Sequence, residues 1–191
     1  MIHVDPPFDL GETLKGTQKI VNDDNTVTTT TINSHWEGAV FHFPDYDRSP
    51  SPRGDRKRRS GRTLKCVCVR NTKGSALTAP AGKLHRFDLG QTGRAVVGSI
   101  DDLAGAADWC AVVDPELGSN DVEDDDLVWV VVEGIVSLTD SGSGISAGDV
   151  VAPAADGDIA SASASSIEII GHALDAIGAN ATGLVSVNIR I

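Results

Sequence analysis

The stretch GISAG, Gly144 to Gly148, fits the G-x-S-x-G pattern that presents a serine on a sharp turn as a nucleophile for acyl transfer. Asp158 and His172 follow Ser146 in the Ser, Asp, His order of the α/β-hydrolases. That chemistry needs a strand before the serine and a helix after it, because the helix N-terminus and adjacent amides hold the oxyanion. The residues that follow are DVVAPAADGDIA, with Pro153 among them and no helical period. Ser146 to His172 also spans only 27 residues, too few for the α/β units that separate such a triad. The stretch reads as a turn. A small serine hydrolase ranks third among the candidate functions, and no residue is assigned as catalytic.

Metal chemistry has no better footing. DGDIASASASSIE, starting at Asp156, opens like a calcium loop, but its fifth position is Ala160, its sixth is not glycine and its twelfth is Ile167. Cys66, Cys68 and Cys110 lack a second C-x-x-C and read as reduced, buried cysteines. His3, His35, His42, His85 and His172 form no i, i+4 pair. No metal and no cofactor is expected. Asp114 to Asp126 carries seven acids and no cation, which reads first as a solvated loop and second as a contact for an Arg-rich arm of a neighbouring subunit. The tripeptide Arg53-Gly54-Asp55 and the Asn180-Ala181-Thr182 acceptor have meaning only in an exported chain, and MIHVDPPFDL has neither the basic nor the apolar region of a secretory leader.

The charge distribution is the strongest signal. Seven of the sixteen Lys and Arg lie in RSPSPRGDRKRRSGR, Arg48 to Arg62, against one acid, Asp55, a local +6 in a chain of net charge −11. A nucleic-acid role would let these cations release counterions from phosphates. The segment has no interleaved aromatics for base stacking, however, and the remaining −17 opposes approach to DNA. Arginine forks facing carboxylates need no more than an acidic protein surface.

The elements that must carry these residues are strands. With 191 residues, 40% hydrophobic and only 4% aromatic, the chain suits one mainly β domain, a small barrel or sandwich of β-tulip type, with an extended N-terminal arm over residues 1–62 and the β domain over 63–191. TLKCVCVRN, KLHRFDL, RAVVGSI, DWCAVVD, DLVWVVVEGIVSLT, GDVVAPA, SSIEIIGHALDA and GLVSVNIRI read as strands between Gly, Asp, Asn and Pro breaks. In the last, Val185, Val187, Ile189 and Ile191 alternate with Ser186, Asn188 and Arg190, which predicts one buried face. Gly134 predicts a bulge that bends the longest strand. SIDDLAGAAD, with Ser99 as N-cap and Asp102 three residues on, predicts one short helix. In the arm, Val27 to Ile32 alternates like an edge strand, while the Pro/Ser/Arg segment has too few apolar groups to offset its ordering cost of about 1–2 kcal/mol per residue. No run approaches the roughly 18 apolar residues of a membrane span, so no membrane partner is expected.

The portion from residue 63 onward resembles the capsid decoration, or cement, proteins of tailed bacteriophages. The phrases that carry the likeness are Arg70-Asn71-Thr72 with Gly74 and Leu77, Val132 to Val136 (VEGIV), Ala147 to Val151 (AGDVV), Ile170 to Leu174 (IGHAL), and the closing strand Val185 to Ile191. The resemblance implies a non-enzymatic β protein, made in the host cytoplasm and residing on the virion. Such proteins bind the outside of an icosahedral shell, commonly as trimers, and brace it. The partners it implies are the major capsid protein and further copies of the chain, a homotrimer, without direct nucleic-acid contact. On that reading Arg53, Arg56, Lys57, Arg58, Arg59 and Arg62 bond acidic groups of the lattice, and Trp36, Phe41 and Phe43 fill apolar pockets. The second candidate function is a nucleic-acid-associated, neck or tail virion protein using the same basic segment.

Overall fold

The computed structural model describes residues 17–21, 27–31, 40–47, 57–90, 99–106, 108–163 and 168–189. β-strands dominate them: β1 (Thr17–Val21), β2 (Val27–Thr31), β3 (Val40–Asp47), β4 (Lys57–Asn71), β5 (Leu84–Phe87), β6 (Ser99–Leu103), β7 (Cys110–Val113), β8 (Leu127–Thr139), β9 (Val150–Pro153), β10 (Ile159–Ser161), β11 (Gly171–Ala173) and β12 (Thr182–Asn188). β1 and β2 form their own antiparallel hairpin, Thr17 opposite Thr31 and Val21 opposite Val27. The threonine alternation fits this placement, because β-branched side chains keep their preferred rotamers on a pleated strand.

The other ten strands make one continuous sheet that closes on itself. β8 pairs with β7 on one side and β4 on the other; β7 continues to β5, β5 to β6, and β6 returns to β4 in parallel, Arg70 opposite Ser99. That circuit is a five-stranded ring. The second half of β8 then pairs with β12, followed by β11, β9 and β10. β10 comes back to the end of β8 through an Ile159–Asp140 bridge, where Ser141 donates its amide to the Ile159 carbonyl at 2.8 Å. A second ring is thus joined to the first along one shared strand.

The half of β8 that serves the first ring is apolar on both faces, whereas the half that pairs with β12 is not. Every residue from Leu127 to Val132 is buried. Directly opposed pairs place Cys68 with Trp129, Cys66 with Val131, and Val112 with both Val131 and Leu84 on one side of the sheet. The partner switch occurs at Glu133, which faces Lys65 of β4 and Asn188 of β12. The bend predicted at Gly134 starts two residues earlier: Lys65 and Cys66 face Glu133 and Val131, so Val132 is the extra residue of a bulge. Gly134 then takes φ 134°, a conformation that L side chains rarely adopt.

Two expectations change. Ser99 to Leu103 is the strand β6, not the start of a helix. Ser99 and Ile100 are buried, and β6 has ladder partners on both sides, so long-range pairing outweighs a local capping pattern worth about 1 kcal/mol. The second concerns the seven-acid stretch, which is not simply solvated. Asp114 is buried and its Oδ1 accepts the Glu116 amide at 3.0 Å. Asp121 and Asp124 accept the amides of Ala79 and Gly74 at 2.8 and 2.9 Å. Arg70 donates to the Asp125 carbonyl at 2.6 Å, and the buried Asn71 side chain donates to Ser75, Val122 and Glu123 carbonyls. Asp121 and Asp124 are thus acceptors that pin the 72–79 loop at the Ala79 and Gly74 amides.

The C-terminal strand behaves as the alternation predicts: Val185, Val187 and Ile189 are buried and Asn188 is exposed. Ile191 and Arg190 lie outside the described residues. β4 runs unbroken from Lys57 to Asn71, so the 62/63 boundary falls inside a strand.

Candidate functional site

The hydrolase-like residues sit on three different elements. Ser146 begins a turn in which its amide donates to Asp149 Oδ2 at 3.1 Å, and Ser161 Oγ donates to the same oxygen at 3.1 Å. The flanking Ile145 exchanges two 2.8 Å backbone bonds with Ile177, which fixes GISAG as a connector, with Gly148 at φ 87°. Asp158 is ion-paired with Lys83 Nζ, and His172 sits exposed on β11. Among the described residues no group of three His, Cys, Asp or Glu is placed to hold a metal ion. The three cysteines are free and buried. Burial, with Asp114 adding, pushes the Cys66 thiol far up, and burial, then Glu168 and Asp108, pushes Cys110 up to about 12. Neither is a thiolate nucleophile at neutral pH. No helix of the described residues is long and apolar enough to cross a membrane.

Two buried polar groups staple loops. Asp140 Oδ2 accepts the amides of Gly142, Gly144 and Asn180 at 2.8, 2.9 and 3.4 Å. Burial pushes this carboxyl up, but the amides of Gly144, Gly142, Asn180 and Ser143 outweigh it and hold it below the usual range. His85 is buried, with Nδ1 3.3 Å from the Asp101 carbonyl and Nε2 without a hydrogen-bond partner among the described residues. Burial lowers its proton affinity; the Asp101 carbonyl opposes that, Lys73 lowers it further, and the charges of Asp102 and Asp101 raise it. A histidine lowered in the fold stabilises fully above its unfolded value near 6.5 and progressively less as pH falls below it. Thermal melts should therefore drop between about pH 7 and pH 5. The drop should shrink in His85→Leu, each tenfold difference in proton affinity being worth about 1.4 kcal/mol.

Of the arm residues predicted to make contacts, Lys57, Arg58, Arg59 and Arg62 lie on β4, and Phe41 and Phe43 on β3. Trp36, Arg53 and Arg56 lie outside the described residues. The β3–β4 register sets Phe41 opposite Cys66, Phe43 opposite Leu64, Tyr46 opposite Arg58 and Asp47 opposite Lys57. β4 enters the ring only at Lys65, where its pairing with β8 begins; from Lys57 to Leu64 its described partner is β3 alone. The basic residues thus ride on a two-stranded ribbon that continues the ring wall.

Sequence reasoning missed a cleft of about 500 Å³ beside β5, β6 and β7. Phe87 and Trp109 line it, packed edge to face with centroids 5.4 Å apart at 62°. Leu89, 64% exposed, adds an apolar rim. Arg86 Nε bonds Asp101 Oδ1 at 2.7 Å, and Asp108 Oδ2 accepts the Gly105 amide at 2.7 Å. Asp108 and Glu168 have no cation within ion-pair distance among the described residues, and with Asp101 they make three carboxylates in the lining against the one cation Arg86, whose charge Asp108 also favours. The one hint in the sequence is RFDL followed by DWC, an aromatic next to an acid at the ends of two neighbouring strands.

No family model matches the chain, and no curated protein matches it. Among solved structures the chain is similar to the crystal structure of the head fiber gp8.5 N base of bacteriophage phi29. The TM-score is 0.41 at 17% identity, covering 65% of this chain and 94% of that one.

Proposed function

We propose that the protein is a structural component of a tailed-phage virion that binds the outer face of the capsid as a homotrimer and cements neighbouring major capsid subunits. The observation that carries this reading is the ribbon: Lys57, Arg58, Arg59 and Arg62 sit on strand backbone outside the closed ring, in a chain that is otherwise acidic. A ribbon braced by a rigid ring presents cations at lower entropic cost than a free tail, and several linked contacts raise avidity through effective concentration. The decoration-protein phrases support the same reading, since VEGIV and the closing alternation lie on the adjacent strands β8 and β12.

Co-sedimentation of the full chain with purified, undecorated phage heads tests it. Binding is expected at about 0.05 M salt and release near 0.5 M, where screening shortens to a few ångströms. The variant Arg56→Glu/Arg58→Glu/Arg59→Glu/Arg62→Glu should lower the bound fraction about tenfold or more. Binding indifferent to both, or a shift of random duplex DNA near physiological salt, would overturn the reading in favour of another contact or of nucleic acid.

A further inference from the structure

We propose that the cleft beside β5, β6 and β7 receives the basic segment Arg48–Arg62 of a second copy of this chain. The inference rests on the reading of that segment as a docking element, and it names one of its destinations. The first ground is charge. Three carboxylates, Asp101, Asp108 and Glu168, line the cleft against the single cation Arg86, and the chain's concentrated surplus of cations is the +6 segment. An arginine fits the site's chemistry: its fork can bond a carboxylate bidentately, its plane can stack on Trp109, and its methylene stem can lie along the exposed Leu89.

The second ground is geometry, which sets the described part of the chain's own segment, residues 57–62, far from the cleft. β4 and β6 run parallel with Arg70 opposite Ser99, so the cleft residue Asp101 lies just beyond the C-terminal end of β4. Lys57 lies thirteen residues back along β4, about 40 Å in the opposite direction at roughly 3.3 Å per strand residue. The ribbon of one copy points away from its own cleft and is free to meet that of a neighbour. Such a contact is head-to-tail, and head-to-tail contacts generate rings where the rotation closes.

Lys57 is the one lysine of the segment, which makes the contact readable by zero-length carbodiimide coupling. Full-length chain labelled with ¹⁵N is mixed with an equal amount of unlabelled chain, coupled and digested. Isotopically mixed peptide pairs joining Lys57 to Glu168 or Asp108 are expected. Glu168→Lys, at a side chain with no ion pair among the described residues, should weaken self-association about tenfold in sedimentation, and adding Arg58→Glu/Arg59→Glu to the same chain should restore it. Pairs of a single isotope would mean the segment folds onto its own chain and would overturn the proposal. So would association without the Lys57 pairs, or no association at about 100 µM, well above the micromolar affinity of a typical specific contact. A chain that fails here yet still sediments with heads sinks only this inference; failure to bind heads with the mixed pairs intact sinks only the capsid reading.

Discussion

Gly171→Ala is expected to destabilise the protein by about 3 kcal/mol or more, the range of severe backbone conflict. Gly171 lies on β11 between β12 and β9, opposite Val187 and Val151. A Cβ there would fall inside contact distance of the Ser186 carbonyl oxygen, 2.9 Å from its carbon and 3.0 Å from the Val187 Cα. These are backbone atoms of a strand held by seven registered pairs to β8, so they cannot rotate away as a side chain can. The strands must separate or the second ring must open. Amide exchange locates the damage: protection should fall first in β9 to β12 and persist in β4 to β8. Gly148→Ala is the control, because nothing lies within 4 Å of its added Cβ and only its φ of 87° is strained. That change should cost about 1–2 kcal/mol. Equal stability of Gly171→Ala and the parent would mean that β11 and β12 do not approach as described.

Trp129→Ala should cost about 3–5 kcal/mol, as large-to-small changes at fully buried aromatics do. Trp129 is 0% exposed, near the start of the shared strand, opposite Cys68 and between the buried Val128 and Val130. Removing it leaves a cavity at the seam on which the first ring closes, and the closed circuit of strands limits how far the walls can collapse into it. With typical domain stabilities of about 5–15 kcal/mol, that is a large share of the whole. The urea midpoint should fall with little change in slope. Trp109→Ala, at the half-buried indole in the cleft, should cost less, and a larger loss there than at Trp129 would contradict the core described here.

Both effects bear on function. On the proposed reading a rigid pair of rings would let the charged ribbon act as a clamp, since holding the parts of a contact ready before binding lowers its entropic cost. β12 runs the length of the second half of β8, so removing the C-terminal strand would dismantle a ring rather than trim a terminus. Charge reversal on the ribbon is the cleaner probe of docking.

Much of this architecture was legible in the chain itself. Apolar runs such as LVWVVV and alternation such as VSVNI reveal strands because a pleated backbone turns successive side chains to opposite faces, a constraint that acts within a few residues. The segregation of positive charge into Arg48 to Arg62 is likewise a fact of composition. What local rules could not supply was partnership. Ser99 starts a strand because Arg70, 29 positions away, offers it a ladder. Asp121 and Asp124 act as acceptors for the amides of Ala79 and Gly74, more than 40 residues distant. The cleft exists only because ring closure brings Phe87, Asp101, Trp109 and Glu168 together. Hydrogen-bond satisfaction and enclosure are properties of segments meeting across the chain, so the tertiary structure alone decided them.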